Sequence, residues 1–128
     1  MGESRVRVAI VDDEASVRRS VERLLRSAGI EVETFATGRE FLSVVRDRSL
    51  HFLVLDLHMP AMNGFEVCEE LRRSGIHMPV AIITGHDMPE YRTRAVAAGV
   101  VAYLPKPIDD KVLLGAIAAA TAGVKVAT

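Results

Sequence analysis

The sequence has little cysteine, no long apolar run and almost no net charge, and each shortage closes off a class of function. The single cysteine, Cys68, makes no internal disulfide, excludes a cysteine-rich zinc site and fits a reducing compartment. The longest uncharged stretch, Val112–Val124, has 13 residues. As a helix it would reach about 20 Å, against about 30 Å of hydrocarbon in a bilayer. The first ten residues carry Glu3, Arg5 and Arg7 where a secretory signal would hold an apolar core. Net charge is −1, from 16 basic and 17 acidic residues, with no block of five like charges. That argues against direct nucleic-acid binding by this chain. Internal repeats, linkers and low-complexity segments are also lacking. The expectation is a cytoplasmic chain with no membrane segment.

What is present suits one folded domain. The 128 residues are 49% hydrophobic and 26% charged, too apolar and too neutral for a disordered chain. The expected domain is 1–128, with a core of about 5–122.

Short β-branched runs alternate with helical periodicity. Val6, Val8, Ile10 and Val11 form a run that stops at Asp12-Asp13, the pattern of a strand buried on both faces. Val17, Val21, Leu24, Leu25 and Ala28 then recur at helical spacing opposite Arg19, Glu22, Arg23 and Arg26, and Gly29 stops that helix. Strands follow at Ile30–Phe35, Phe52–Leu55 (ending at Asp56), Val80–Ile83 (ending at Thr84) and Val100–Leu104. Helices follow at Gly38–Asp47, Gly64–Arg73, Pro89–Ala98 and Asp109–Ala122. Regular alternation of five strands with five helices predicts an α/β, doubly wound parallel sheet covered by helices on both faces.

The chemistry collects at strand ends. Asp12 and Asp13 follow the first strand, Asp56 closes the third, Thr84 closes the fourth, and Lys106 follows the fifth. In an open parallel sheet these carboxyl ends share one edge, where ligands bind at the reversal of strand order. If strands one and three straddle that reversal, Asp12, Asp13 and Asp56 converge and repel, and a hard divalent cation such as Mg²⁺ relieves them through oxygen ligands. A carboxylate can also be a nucleophile and form an aspartyl phosphate. Lys106 and the Thr84 hydroxyl would then meet phosphoryl oxygens without any glycine-rich loop. Lys106 is one of three lysines beside 13 arginines, which makes its placement pointed.

Asp12-Asp13, Asp56-Leu57-His58-Met59-Pro60 with Gly64, Thr84-Gly85, Tyr103 and Lys106-Pro107 together resemble a response-regulator receiver (CheY-like) domain from about Arg5 to Ala120. The Asp56-x-x-Met59-Pro60-x-Met62-x-Gly64 run, with Ile83-Thr84-Gly85-His86, is similar to the FixJ-type subgroup. The resemblance implies a flavodoxin-like fold with strand order 2-1-3-4-5. It implies Asp56 as phosphoacceptor, Asp13 and Asp56 as direct Mg²⁺ ligands (Mn²⁺ as an alternative ion), Asp12 acting through water, and the His58 main-chain carbonyl as a further ligand. It implies that Lys106 pairs with the phosphoryl group, that Thr84 and Tyr103 form a switch pair, and that Lys106-Pro107 is cis. A histidine kinase or histidine phosphotransfer protein would be the donor. The output would be dimerisation or partner binding through the fourth helix, fifth strand and fifth helix.

His58 and His86 each lie two residues beyond a site residue. Two exposed loop histidines is the plain reading. The functional one is that they border the water's approach and tune dephosphorylation. The arginines Arg18, Arg19, Arg23 and Arg26 read as a solvated helix face on which a donor could dock. His51, His77 and Cys68 read as structural or surface residues. Two rival functions remain at this point: a pseudo-receiver that never takes phosphate, and a haloacid-dehalogenase-like phosphohydrolase. The latter expects a second Asp where this chain has His58. The receiver is not expected to be a turnover enzyme. It is expected to be either a stand-alone regulator or a receiver from a longer protein with a DNA-binding domain.

Overall fold

The structure is a computed structural model that describes residues 5–124. Glu3 and the outer ends of the expected 1–128 domain lie outside the described residues. The elements run β1 (Arg7–Val11), α1 (Ala15–Ser27), β2 (Glu31–Phe35), α2 (Gly38–Val44), β3 (Phe52–Asp56), α3 (Gly64–Arg73), β4 (Val80–Thr84), α4 (Pro89–Ala97), β5 (Ala102–Pro105) and α5 (Asp110–Ala120).

The strands pair in parallel in the order β2-β1-β3-β4-β5. Alternate side chains of each strand point to opposite faces, so the sheet carries two cores. Val8, Ile10, Phe52, Val54, Ala81 and Ile83 face α1 and α5, meeting Val21, Leu25, Leu113 and Ile117. Ala9, Val11, Leu53, Leu55 and Ile82 face the other way, onto Phe41, Val67 and Leu71 of α2 and α3 and Ala95 of α4. The central strands β3 and β4 are buried along their whole length. That double burial is why they read as unbroken apolar runs. Among the described residues no helix is long and apolar enough to cross a membrane.

Some boundaries move from the sequence reading. The segment expected as one helix over Gly38–Asp47 ends at Val44 and continues as a 3₁₀ turn over Val45–Asp47. β5 starts at Ala102, where its register with Ala81 of β4 begins, and Val101 before it is exposed. Ala28 is exposed instead of facing the core, because it caps α1 with φ −94° and ψ 9°, outside the helix. Phe65 and Cys68 on α3 are half-buried, while Val67 and Leu71 are the buried residues of its inner face.

α4 differs from its neighbours in how it is held. Ala95 is its only buried residue, and Val96 is 79% exposed. Its other fastenings are polar and aromatic. Arg94 stacks over Phe65 at 4.2 Å from the ring centroid. Tyr91 packs edge-on against His58, with ring centroids 5.1 Å apart.

Candidate functional site

The register of the parallel strands brings their carboxyl ends to one edge. Val11 pairs with Leu55, so Asp12 emerges beside Asp56; Thr84 pairs with Pro105, so Lys106 emerges beside Thr84. The Lys106-Pro107 peptide is cis. Asp12 and Asp56 are buried, Asp13 is exposed, and one carboxylate oxygen from each lies within 4.8 Å of the others.

Lys106 reaches back over this cluster. Its Nζ is 3.1 Å from Asp12 Oδ2, 3.1 Å from Glu14 Oε1 and 3.5 Å from Asp56 Oδ1. Asp12 Oδ1 accepts from the main-chain N–H of Glu14 at 2.8 Å. Asp12 Oδ2 is buried, and the Lys106 ammonium at 3.1 Å is its ion-pair partner.

The protonation chemistry follows from this crowding. Burial pushes the Asp56 carboxyl up to about 7, the Asp12 charge adds to it, and Lys106 opposes it. Burial also raises Asp12, against the Glu14 N–H and Lys106. Burial alone would lower Lys106, but the carboxylates of Asp12 and Asp56 outweigh it and raise its pKa. The cluster therefore holds more negative charge than Lys106 neutralises. An all-oxygen set of three carboxylates, two of them buried, with one lysine against them fits Mg²⁺, which prefers hard oxygen ligands.

The loop after β3 is shaped by close packing. Gly64 N donates to Leu57 O at 2.9 Å. A Cβ at Gly64 would sit 2.8 Å from Asp56 O and 3.1 Å from the Leu57 Cα, so only glycine fits beside the end of β3. Asn63 then starts α3 with a capping box, its side chain accepting from Glu66 N while Glu66 accepts from Asn63 N.

Thr84 is fully buried and its hydroxyl is engaged. It donates to the His86 carbonyl and accepts from the His86 N–H, both at 3.0 Å. His58 and His86 are exposed and their rings lie 5.9 Å apart, with Tyr91 of α4 against both. Tyr103 is half-buried on β5, and its hydroxyl donates to Asp87 Oδ1 at 2.9 Å.

The response regulator receiver domain family matches residues 8–118 of the chain. The chain belongs to that family. The receiver is 41% identical over 114 residues to nodulation protein W of Bradyrhizobium diazoefficiens, covering 89% of this chain and 50% of that protein. It is 36% identical over 113 residues to the response regulator protein TodT of Pseudomonas putida, covering 88% of this chain and 50% of that one. The receiver thus spans about half the length of the curated relatives it matches. Among solved structures it resembles FixJ-N, with a TM-score of 0.86 and 34% identity over 95% of this chain and 98% of that one. It also resembles the chemotaxis protein CheY4 of Vibrio cholerae, with a TM-score of 0.84 and 32% identity over 91% and 99%. It is a receiver of the kind found in two-component signalling.

Several site residues went unread in the sequence. Glu14 extends the Asp12-Asp13 run by one acid and pairs with Lys106; the three consecutive acids were its signal. Arg18 was read as solvated, yet its Nη1 donates to the Asp12 carbonyl at 2.7 Å and so braces the first acidic loop. His51 has a structural task, accepting at Nδ1 from the Arg7 N–H at 3.0 Å. Asp87, Tyr91 and Arg92 gave no signal, since each alone is an ordinary loop or helix residue.

Proposed function

We propose that this receiver takes a phosphoryl group on Asp56 from the phosphohistidine of a histidine kinase or phosphotransfer protein. The observation that carries the reading is the Asp56 carboxylate held at a sheet edge among Asp12, Asp13 and Lys106. An Asp56 carboxylate oxygen attacks phosphorus, and the P–N bond to the donor imidazole breaks. The imidazole leaves with that electron pair and takes up a proton. Asp13 and Asp56 would hold Mg²⁺ directly, with Asp12 through water and the His58 carbonyl as a further ligand. Bound there, Mg²⁺ supplies neutralisation of phosphoryl charge.

The chain's own residues do the rest. Lys106 is already over the pocket, 3.5 Å from Asp56 Oδ1, and would pair with a phosphoryl oxygen. Thr84 would leave the His86 carbonyl and turn its hydroxyl to another, and Tyr103 would fill the space behind. His58 and His86 would border the water that later hydrolyses the acyl phosphate. The receiver acts on its own side chain and not on an external metabolite. Exposed Val96, Val101 and Val112 on α4, before β5 and on α5 support output through self-association or a protein partner. The net charge of −1 favours protein over nucleic acid as that partner.

The test is to treat the protein with acetyl phosphate and Mg²⁺ and to measure intact mass. One added phosphoryl group, absent in Asp56→Asn, is the expected result. No adduct on the wild-type protein would overturn the reading and leave a phosphate-independent interaction module.

A further inference from the structure

Two consecutive residues of the loop between β4 and α4 hold the two members of the Thr84–Tyr103 pair. His86 holds Thr84 through both of its main-chain groups, at 3.0 Å each. Asp87 holds Tyr103, accepting from its hydroxyl at 2.9 Å. Asp87 is itself gripped by α4: Arg92 donates from Nε to Oδ1 at 3.2 Å and from Nη2 to Oδ2 at 2.7 Å. The same guanidinium lies over the Tyr103 ring, 4.9 Å from its centroid. The phenol is therefore fastened at its oxygen by Asp87 and across its face by Arg92. Planar stacking and a bidentate fork are arrangements arginine makes and lysine does not.

This geometry joins the phosphate pocket to α4. Thr84 cannot turn its hydroxyl toward Asp56 without giving up His86, and a shift at His86 carries Asp87, the next residue. Because α4 buries only Ala95, the ties made by Arg92, Arg94 and Tyr91 hold a large share of it. Resting on the reading of Thr84 and Tyr103 as the switch pair, we propose that Asp87 and Arg92 are positioning residues that clasp Tyr103 in the unphosphorylated conformation and so set how readily the receiver switches.

The clasp is an exposed ion pair, so releasing it shifts a two-state equilibrium by a few-fold and not by orders of magnitude. Asp87→Asn and Arg92→Ala should each speed phosphorylation by acetyl phosphate with Mg²⁺ by about two- to five-fold. Arg92→Lys, which keeps the charge and loses the fork, should fall between Arg92→Ala and wild type. In a Tyr103→Ala background neither substitution should change the rate, because the residue they act through is gone. Equal acceleration with and without Tyr103, or none in either, overturns the proposal.

A second measurement needs no phosphoryl group. The chain has no Trp and two Tyr, so Tyr91→Phe leaves Tyr103 as the sole tyrosine emitter. A carboxylate hydrogen bond quenches phenol emission, and Asp87→Asn in that background should brighten Tyr103. Unchanged emission shows that Asp87 does not hold Tyr103 and overturns the clasp. A wild-type protein that takes no phosphoryl group while emission still responds means that the clasp stands and the phosphoacceptor reading fails, and with it the proposed role of the clasp in switching.

Discussion

Lys106 Nζ lies nearer to Asp12, at 3.1 Å, than to Asp56, at 3.5 Å. The lysine is thus shared among carboxylates, and its charge restrains the rise in the Asp56 pKa. Lys106→Ala should push Asp56 further above about 7 and slow the proposed phosphoryl transfer by on the order of 100- to 1,000-fold, the scale of losing one preorganised group at a reacting centre. A carboxyl-carbon NMR titration in metal-free buffer and phosphorylation kinetics by mass would check both. An unchanged titration would show that the ammonium is too far away to matter.

The raised Asp56 pKa has a consequence for stability, and its sign is fixed. Below pH 4 the carboxyl is protonated in the folded and unfolded chain alike and contributes nothing. Between about 4 and about 7 the unfolded carboxyl ionises while the folded one keeps its proton, so stability falls as pH rises. Above 7 the loss is complete, and its scale is a few kcal/mol. Metal-free Asp56→Asn should therefore be more stable than wild type at pH 8, by a margin that shrinks most of the way to zero at pH 4. Urea unfolding at the two pH values reads the difference, and equal stability at pH 8 would contradict the electrostatic account of the pocket.

Divalent cation should reverse that penalty. With free Mg²⁺ at 100 times its Kd, the wild-type protein should gain about 2.7 kcal/mol by mass action. Asp13 is exposed, so Asp13→Asn should fold normally in chelator and lose most of the Mg²⁺-dependent rise in Tm. An undiminished rise in this variant would remove Asp13 from the ligand set.

Gly64 offers a purely steric test. Alanine at the first position of α3 would gain at most about 1 kcal/mol of helix propensity. Its Cβ would meet the Asp56 carbonyl at 2.8 Å, and overpacking against backbone costs about 1–3 kcal/mol. Gly64→Ala should thus be destabilised by up to about 2 kcal/mol, with weaker Mg²⁺ binding because the end of β3 must move. Wild-type stability and affinity would mean that the loop yields more easily than its packing indicates.

β1, β3 and β4 were legible because burial on both faces leaves an apolar run that a polar residue closes. The same ends locate Asp12, Asp56 and Thr84 at one sheet edge, and the strand order that makes the acids neighbours came from the family resemblance. β5 was read two residues early because Val100 and Val101 look like strand, yet pairing with β4 begins only at Ala102. The ties around α4 were not legible for a different reason. Asp87 and Arg92 are five apart, off the helical spacing of three or four, and Asp87 meets Tyr103 across 16 residues of chain. No local pattern records such a contact.

α4 contributes a single buried residue to the core, Ala95, and Tyr91, Arg92 and Arg94 fasten it from its flanks, so its remaining exposed positions carry no packing constraint. Substitutions at its exposed positions away from those ties, Val96 above all, leave the layers on both faces of the sheet intact. The outward surface of α4 can therefore vary between chains of this fold while the strands and both cores stay the same.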